Sequence, residues 1–281
     1  MARSPGSMQA FILAGALAAG TIGTAAAADL PLPPPPVIEA PAPAQFSGWY
    51  LRGDVGAGFN WMSGFSSSDA SNAAVTDFAY NGSKLGTQAI FGAGVGYQFN
   101  NWFRADITGE YRTGSHFSAK ESYFDTVNSE TGVDSYTGLV RNVVVLANGY
   151  FDIGTWYGFT PFVGAGVGGA FSQFSGLTDV GLGPDNVGGF GTAPNKSSTQ
   201  FAWALMAGLS YSITPNWKVE LSYRYLDMGR IASDAIVCTA GCTHEVQNFH
   251  MASNDVRVGV RYMFGDVPMA PPLQGPVVSK Y

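Results

Sequence analysis

Two short motifs in the sequence have the spacing of nucleotide-binding or catalytic sites. Gly164–Gly169 reads G-x-G-x-x-G, which cradles a dinucleotide pyrophosphate when a helix follows it. Ser115 and His116 offer a nucleophile and a base, two of the three groups of a hydrolase triad. A Ser- and Gly-rich stretch follows the glycine motif in place of a helix, and no spacing brings an acid to the Ser–His pair. We interpret both motifs as structural and expect no catalytic residue and no bound cofactor.

The cysteines favour a disulfide over a metal site. Cys238 and Cys242 are spaced C-x3-C, with His244 close by. A zinc site needs four well-spaced ligands, and no fourth ligand has convincing spacing. The N-terminus, described next, predicts export, and the thiols of an exported protein lie in oxidising surroundings. We therefore predict a Cys238–Cys242 disulfide that orders a loop tip, and no metal site.

The N-terminus has the features of a cleaved export signal. Arg3 precedes the apolar run 11–20, which is too short to cross a bilayer, and small residues lead up to Ala28. Residues 1–28 are therefore predicted to be a signal peptide. Residues 29–47 hold seven prolines, which favour an extended polyproline II linker in the periplasm. A recognition segment for a partner is the alternative for this stretch.

The composition excludes several classes of protein. The 281 residues are 46% hydrophobic and only 12% charged, with a formal net charge of -6. The sequence contains no run of Lys or Arg of the kind that neutralises nucleic-acid phosphates, so nucleic-acid binding is excluded. No apolar segment of about 20 residues follows Ala28, so a helical membrane protein is also excluded.

Eight segments after the linker have the length and composition of long strands. They lie at 48–60, 85–98, 102–112, 139–153, 157–171, 200–213, 217–227 and 254–264. Turns of about three residues alternate with long polar stretches at 61–84, 113–138, 172–199 and 228–253. This alternation is typical of outer-membrane barrels, which have short periplasmic turns and long outer loops. We predict an all-β fold over residues 48–264: an eight-stranded, up-and-down, antiparallel transmembrane β-barrel with four long outer loops and three short periplasmic turns.

Charged and apolar side chains alternate within these strands. In 103–112, for example, Phe103 and Ile107 alternate with Arg104 and Asp106. A charge that faces lipid costs about 2–4 kcal/mol at the bilayer midplane, so the charges must face the lumen. The predicted lumen ion network is Arg52, Asp54, Arg104, Asp106, Glu110, Arg112, Asp152, Lys218, Glu220, Arg224, Asp255, Arg257 and Arg261. Because an eight-stranded barrel is only wide enough for its own side chains, we expect a filled lumen. An ion- or proton-conducting path is the alternative.

Large aromatic residues accompany the short turns. Indole rings prefer the headgroup level of a membrane. The predicted interface aromatics are Trp49, Trp102, Trp156, Trp217 and Phe264. They orient the barrel with its short turns at the periplasmic rim.

The long loops are acidic. They contain ten Asp or Glu residues against four cations, Lys84, Lys120, Lys196 and Arg230. Ten minus four leaves an acidic outer surface. One hypothesis is that divalent ions bridge this surface to lipopolysaccharide, among the surrounding outer-membrane lipids. A host or envelope protein that binds the loops is a further partner in this interpretation.

Two motifs carry a family resemblance. Gly48–Gly56, which reads GWYLRGDVG, and Val258–Phe264, which reads VGVRYMF, resemble the small outer-membrane β-barrel surface proteins of alphaproteobacteria. These are barrels of the opacity and OmpA-like type, often called the porin family. The resemblance covers about residues 48–264 and implies the cell outer membrane, a part in envelope integrity and surface contact. Some members are linked to haem binding or weak pore formation.

The C-terminal end of the barrel departs from this family pattern. Gly259, Tyr262 and Phe264 resemble the terminal signal read by the barrel-assembly machinery, which would be a partner during biogenesis. Residues 265–281 follow this signal and are predicted to form a flexible tail.

The sequence thus predicts a non-catalytic outer-membrane barrel that contributes to envelope integrity and to surface interaction through acidic loops. The first alternative is a narrow porin or a small-solute or haem-related channel. A lipid-modifying barrel enzyme is the second.

Overall fold

A computed structural model describes residues 47–238 and 245–264. Its strands are β1 (Gly48–Ser67), β2 (Val75–Leu85), β3 (Thr87–Gln98), β4 (Phe103–Asp125), β5 (Glu130–Asp152), β6 (Phe159–Gly181), β7 (Phe190–Ala193), β8 (Lys196–Ser212), β9 (Trp217–Ala232), β10 (Val237–Cys238) and β11 (Gln247–Met263). A short 3-10 helix spans Ser68–Ser71. In the described ranges, no helix is long and apolar enough to cross a membrane. The predicted signal peptide, the linker up to residue 46, the tail, Cys242 and His244 lie outside these ranges.

Eight strands close into a ring. The order is β1, β3, β4, β5, β6, β8, β9 and β11, and β11 pairs back with β1. All pairings in the ring are antiparallel, and each of its strands matches one predicted strand. Closure lets the ring strands pair on both sides, so no open edge faces lipid. The predicted barrel is therefore confirmed. The remaining strands lie outside the ring, where β2 pairs with β4, β7 with β6 and β10 with β7.

Three short turns lie at one end of the ring. In the first turn, the Asn100 side chain accepts hydrogen bonds from the backbone N–H of Trp102 at 3.0 Å and of Phe103 at 2.8 Å. In the third, the Thr214 hydroxyl accepts from the N–H of Trp217 at 3.0 Å. Such side-chain bonds replace ladder bonds where the chain reverses.

An outward apolar band defines the membrane-spanning segments. Beginning at the short-turn end, the exposed outward side chains are apolar over 49–59, 89–97, 103–111, 143–151, 159–171, 201–211, 217–225 and 256–264. Segments of about 9–11 tilted residues suffice to cross a bilayer core. The strand residues beyond these segments therefore lie outside the hydrocarbon.

Much of the predicted loop sequence is strand. β4, β5 and β6 have 23 residues each, about twice the length needed to cross the bilayer. The predicted loop 113–138 is only a turn at 126–129, because the β4–β5 ladder runs on to Asp125 and Glu130. The long connection predicted at 113–138 therefore consists mostly of paired strand. The barrel continues as a paired tube above the membrane.

A β-bulge in β4 marks the upper edge of the membrane segment. Below it, even-numbered residues up to Arg112 face inward. The register shifts between Arg112 and Ser115, and then Ser115, Phe117 and Ala119 face inward. Irregularities lie at similar levels in other pairs, at Ser63/Ser66, Thr137/Leu139 and His250/Ala252. Gly64 (φ 57°) and Gly229 (φ 76°) supply the left-handed backbone at two of these sites.

Candidate functional site

The predicted network lies inside the barrel. Six arginines and six carboxylates form ion pairs there, and none of their side chains is more than 8% exposed. These are Arg52, Asp54, Arg104, Asp106, Glu110, Arg112, Asp152, Glu220, Arg224, Asp255, Arg257 and Arg261. Lys218, the remaining predicted member, is half-buried near the short-turn end. Six formal charges of each sign make the arginine–carboxylate set neutral.

Asp255 joins two strands across the upper part of the network. Both oxygens of its carboxylate accept hydrogen bonds from Arg112, each at 2.9 Å. Arg224 also reaches the Asp255 carboxylate, at 2.6 Å, and it contacts Glu110 at 2.7 Å. Arg257 pairs with Glu110 at 3.2 Å and contacts Asp54 as well. Because each of these carboxylates contacts at least two arginines, the loss of one would remove an ion pair from several buried cations at once.

Arg52 and Arg104 anchor the part nearer the short turns. Arg52 contacts Asp106 at 3.1 Å and donates to the Tyr150 hydroxyl at 2.7 Å. The guanidinium carbon of Arg104 lies 4.1 Å from the centre of the Tyr150 ring, and Arg104 pairs with Asp152 at 3.2 Å. Ion pairs, hydrogen bonds and a cation–π contact thus act together in a desolvated space.

The side chains leave little free space between them. The internal cavity beside Arg52, Tyr150 and Arg224 has a volume of about 10 Å³. That volume admits no more than about one water molecule. This small volume and the burial of the charged side chains indicate that the lumen is filled beside these residues.

An apolar layer lies above the charges. The rings of Phe117 and Phe249 stack with centroids 5.3 Å apart, and Phe174 meets both edge-on at 5.1 and 6.0 Å. All three are nearly fully buried. Tyr136, Ile231, Met251 and further buried apolar residues belong to the same cluster. This apolar layer fills the lumen at a second level, above the ion pairs. The sequence did not predict it, because most of these residues lie in stretches that were predicted to be loops.

A buried acidic cluster tops this apolar layer. The Tyr136 hydroxyl lies 2.7 Å from Glu121 Oε1 and 2.7 Å from Glu245 Oε2. Ser67 and Gln247 donate hydrogen bonds to Glu245. A phenol has one proton and cannot donate to two carboxylates at once, so one carboxyl group must carry a proton. Burial, followed by the charge of Glu245, raises the pKa of Glu121 to about 10.

Two more acids face the same region. Burial and the neighbouring Asp134 raise the pKa of Asp179 to about 8, and burial raises the pKa of Asp134 to about 6. Within residues 47–238 and 245–264, no three His, Cys, Asp or Glu side chains are arranged to hold a metal ion.

Four of the ten loop acids are buried: Glu121, Asp134, Asp179 and Glu245. The expectation that the loop acids together form an outer surface is wrong for these four.

The motifs with possible chemistry lie apart from one another. Ser115 faces inward and donates to the carbonyl of Gly86 at 2.7 Å, whereas His116 is exposed on the outer face. Gly164–Gly169 lies in the middle of β6, with no helix after it. Cys238 ends β10, and because Cys242 lies outside the described residues, the disulfide stays a prediction.

The predicted interface aromatics lie at the short-turn end. Trp49, Trp102, Trp156, Trp217 and Phe264 are all between 46% and 60% exposed. Trp102 stacks on Phe151 with centroids 5.8 Å apart, and Trp217 lies 4.8 Å from Tyr262. Outward aromatic rings at one rim of an apolar band suit the headgroup level of a bilayer.

Comparisons with known proteins show which family the chain matches. The profile of the family described as outer membrane protein beta-barrel domain matches residues 14–264. An uncharacterised protein of Brucella abortus (strain 2308) is 32% identical over 225 residues, 73% of this chain and 76% of the relative. A candidate adhesin of Rickettsia rickettsii is 26% identical over 219 residues, 76% of this chain and 87% of the relative. The crystal structure of OprG from Pseudomonas aeruginosa covers 79% of this chain and 97% of that chain, at 13% identity and a TM-score of 0.44.

A closed antiparallel ring with an outward apolar band and an inward charged network defines a transmembrane β-barrel. The chain belongs to the outer membrane protein beta-barrel domain family. Its location is the bacterial outer membrane.

Proposed function

We propose that this barrel is a non-catalytic surface protein that stabilises the cell envelope and binds a partner through its upper end. The filled lumen carries the proposal. Ion pairs occupy the membrane level and a cluster of aromatic rings occupies the level above, so side chains fill the lumen over the part of the chain that the structure describes. A narrow channel has less support for the same reason.

The upper end has features that suit contact with another protein. Its paired strands hold the turns well above the membrane. Apolar side chains are exposed at these tips, with Val127 75% and Val187 73% exposed, beside acids such as Glu130 and Asp185. Exposed apolar groups rimmed by charges are common at protein-binding surfaces. The name of the Rickettsia relative, a candidate adhesin, agrees with surface binding.

Biogenesis would follow the usual route for such barrels. The described chain ends at Phe264, whose N–H donates to the Trp49 carbonyl at 2.8 Å, so the last strand closes on the first. We infer that the barrel-assembly machinery recognises the segment Gly259–Phe264.

Conductance and envelope assays test the proposal. Purified protein in planar bilayers is expected to give no steady conductance. A deletion strain is expected to become sensitive to detergent and to regain resistance with the wild-type gene. A variant with Val127→Ser and Val187→Ser should restore resistance but lose surface binding to host cells. Steady channels that change with Arg224→Ala would contradict the proposal, and so would a deletion strain with unchanged resistance.

A further inference from the structure

The outer wall just above the apolar band carries unpaired cations. Lys84 on β2, Lys120 on β4 and Arg141 on β5 are all exposed on the outward face. Among the described residues, none of the three has a carboxylate within ion-pair distance. We call this set the cationic wall.

The strand register brings the members of the cationic wall together. Lys84 pairs with Ser118, so Lys120 is its diagonal neighbour on the same face. His116 is the other diagonal neighbour of Lys84, and it pairs with Leu139, two residues from Arg141. The side chains therefore form a continuous surface across three adjacent strands.

A groove with phosphate-binding chemistry lies within the cationic wall. It has a volume of about 320 Å³, and on the outward face it is lined by Lys84 and Lys120 together with the hydroxyl-bearing Ser118 and Ser135. Ammonium and hydroxyl groups are the donors that bind phosphate oxygens. The acids of neighbouring chain segments do not compete, because Glu121 and Asp134 are buried inside the tube.

The height of the cationic wall matches a lipid headgroup. Arg141 is the next outward residue after Val143, which ends the apolar band on β5. A tilted strand rises roughly 2.5 Å per residue along the membrane normal, which places Arg141 about 5 Å, Lys84 about 15 Å and Lys120 about 20 Å above the hydrocarbon. The cationic wall therefore spans the levels of the lipid headgroup and of the sugars above it. Lysine side chains also bend toward the interface. A soluble polyanion would not require cations to begin at the edge of the apolar band.

We propose that Lys84, Lys120 and Arg141 form a phosphate-binding surface, occupied by the phosphorylated sugar headgroup of a lipopolysaccharide molecule in the outer leaflet. The contact is direct, without a bridging divalent ion, because the surface itself is cationic. The inference goes beyond the proposed function, since it concerns the outer wall and neither the lumen nor the tips.

A charge-neutralising variant tests the proposal. The triple variant K84Q/K120Q/R141Q and the wild type are compared for binding of bisphosphorylated lipid A, measured by native mass spectrometry and by titration in detergent with EDTA. We expect the triple variant to bind about tenfold more weakly, and the wild-type affinity to fall as salt is raised. Dephosphorylated lipid A should bind both proteins equally weakly. Unchanged heat-modifiable migration and β-sheet circular dichroism verify the fold of each variant.

Arg230 provides the matched control. It lies on β9, which is opposite β4 in the ring, and it is also exposed and outward. Its strand partner His250 contacts Asp227 at 2.7 Å, so an acid is already present on that wall. R230Q should change lipid A affinity by less than about twofold. An equal loss with R230Q, or no loss with the triple variant, would overturn the site. A sulfated polysaccharide, titrated in the same way, tests for a soluble polyanion. If the triple variant loses affinity for that polysaccharide alone, or if lipid A binds only in the presence of divalent ions, the proposal is also overturned.

Discussion

The membrane-level lumen and the tube above it place polar and apolar groups in opposite ways. At membrane level, Arg112 and Asp255 face inward while Tyr111 and Val256 face outward. Above the bulge, Phe117 faces inward while His116 and Lys120 face outward. The strand is the same, but its surroundings change from lipid to water. The side-chain pattern therefore follows the solvent outside the wall, and a register shift of one residue suffices to invert it.

The two interiors also treat charge differently. Buried carboxylates at membrane level form ion pairs with arginines. Glu121 and Glu245, above the apolar layer, meet Tyr136 and each other but no arginine, so a proton takes the place of the cation. Changes at the two levels should therefore have different sizes and a different dependence on pH.

The largest expected effect comes from removing a shared carboxylate. Asp255→Ala leaves Arg112 and Arg224 without their closest partner in a desolvated lumen. We expect the free energy of unfolding in detergent to fall by about 3–5 kcal/mol, measured by urea denaturation. Glu130→Ala, at an exposed acid at the start of β5, is the control and should change it by less than about 0.5 kcal/mol. A small effect at Asp255 would mean that the two arginines find other partners or water.

Loss of an aromatic ring should weaken the upper tube alone. Phe249→Ala removes a ring that contacts Phe117 and Phe174, at a cost of about 3 kcal/mol. Because the membrane segments do not depend on this contact, we expect faster protease cleavage beyond Ser115 while the membrane part stays protected. Val127→Ala at an exposed tip should leave the cleavage rate unchanged. Equal loss of protection in both halves would show that the two interiors unfold as one unit.

The acidic cluster should make stability fall as pH rises. An unfolded glutamic acid loses its proton near pH 4.3, whereas buried Glu121 keeps it to about pH 10. Between these values unfolding releases a proton, so a higher pH favours the unfolded chain. Glu121→Gln mimics the protonated form, so it should stabilise the protein relative to the wild type increasingly as the pH rises toward 8, and by almost nothing at pH 4. A parallel pH dependence in wild type and variant would contradict the shared proton.

The smallest expected effect lies at a bulge. Gly229 has a φ of 76°, and a Cβ there would come within 2.9 Å of Gln200 Cβ. Gly229→Ala should therefore cost about 1 kcal/mol. Gly109→Ala is the matched control, because a Cβ at Gly109 meets nothing within 4 Å. If both substitutions had the same effect on the urea midpoint, the bulge would not depend on the left-handed backbone.

The membrane half of the fold could be predicted from the sequence, because a charged side chain on the lipid-facing side of a strand is energetically costly, so polar and apolar residues alternate regularly. Along 103–112 every second residue is polar, since an outward charge would face hydrocarbon. That alternation gave both the strand and the inward placement of Arg104 and Glu110, which the structure reproduces. Water on the outside of the upper tube permits Ser, Thr and Lys there, so the contrast between the two faces weakens.

The upper half was missed for two physical reasons. The bulge between Arg112 and Ser115 interrupts the period of two. Inward-facing residues are even-numbered below it, like Arg104, and odd-numbered above it, like Phe117 and Ala119. The acidic cluster depends on the proximity of Glu121 and Glu245, which both contact Tyr136. These residues are far apart in the sequence, so the local alternation of residue types does not predict that they meet. Only the ring closure places β11 near Ser67 and Tyr136.

The seam between β1 and β11 has a consequence for synthesis. Its register runs from Tyr50 opposite Met263 to Ser67 opposite Gln247. The first strand to be synthesised therefore lacks one of its two pairing partners until the last strand has been made. A nascent chain released before Val258 would expose unpaired amides to hydrocarbon along both margins of a half-finished sheet. The whole polypeptide must therefore cross the inner membrane and the periplasm before the barrel can insert into the outer membrane.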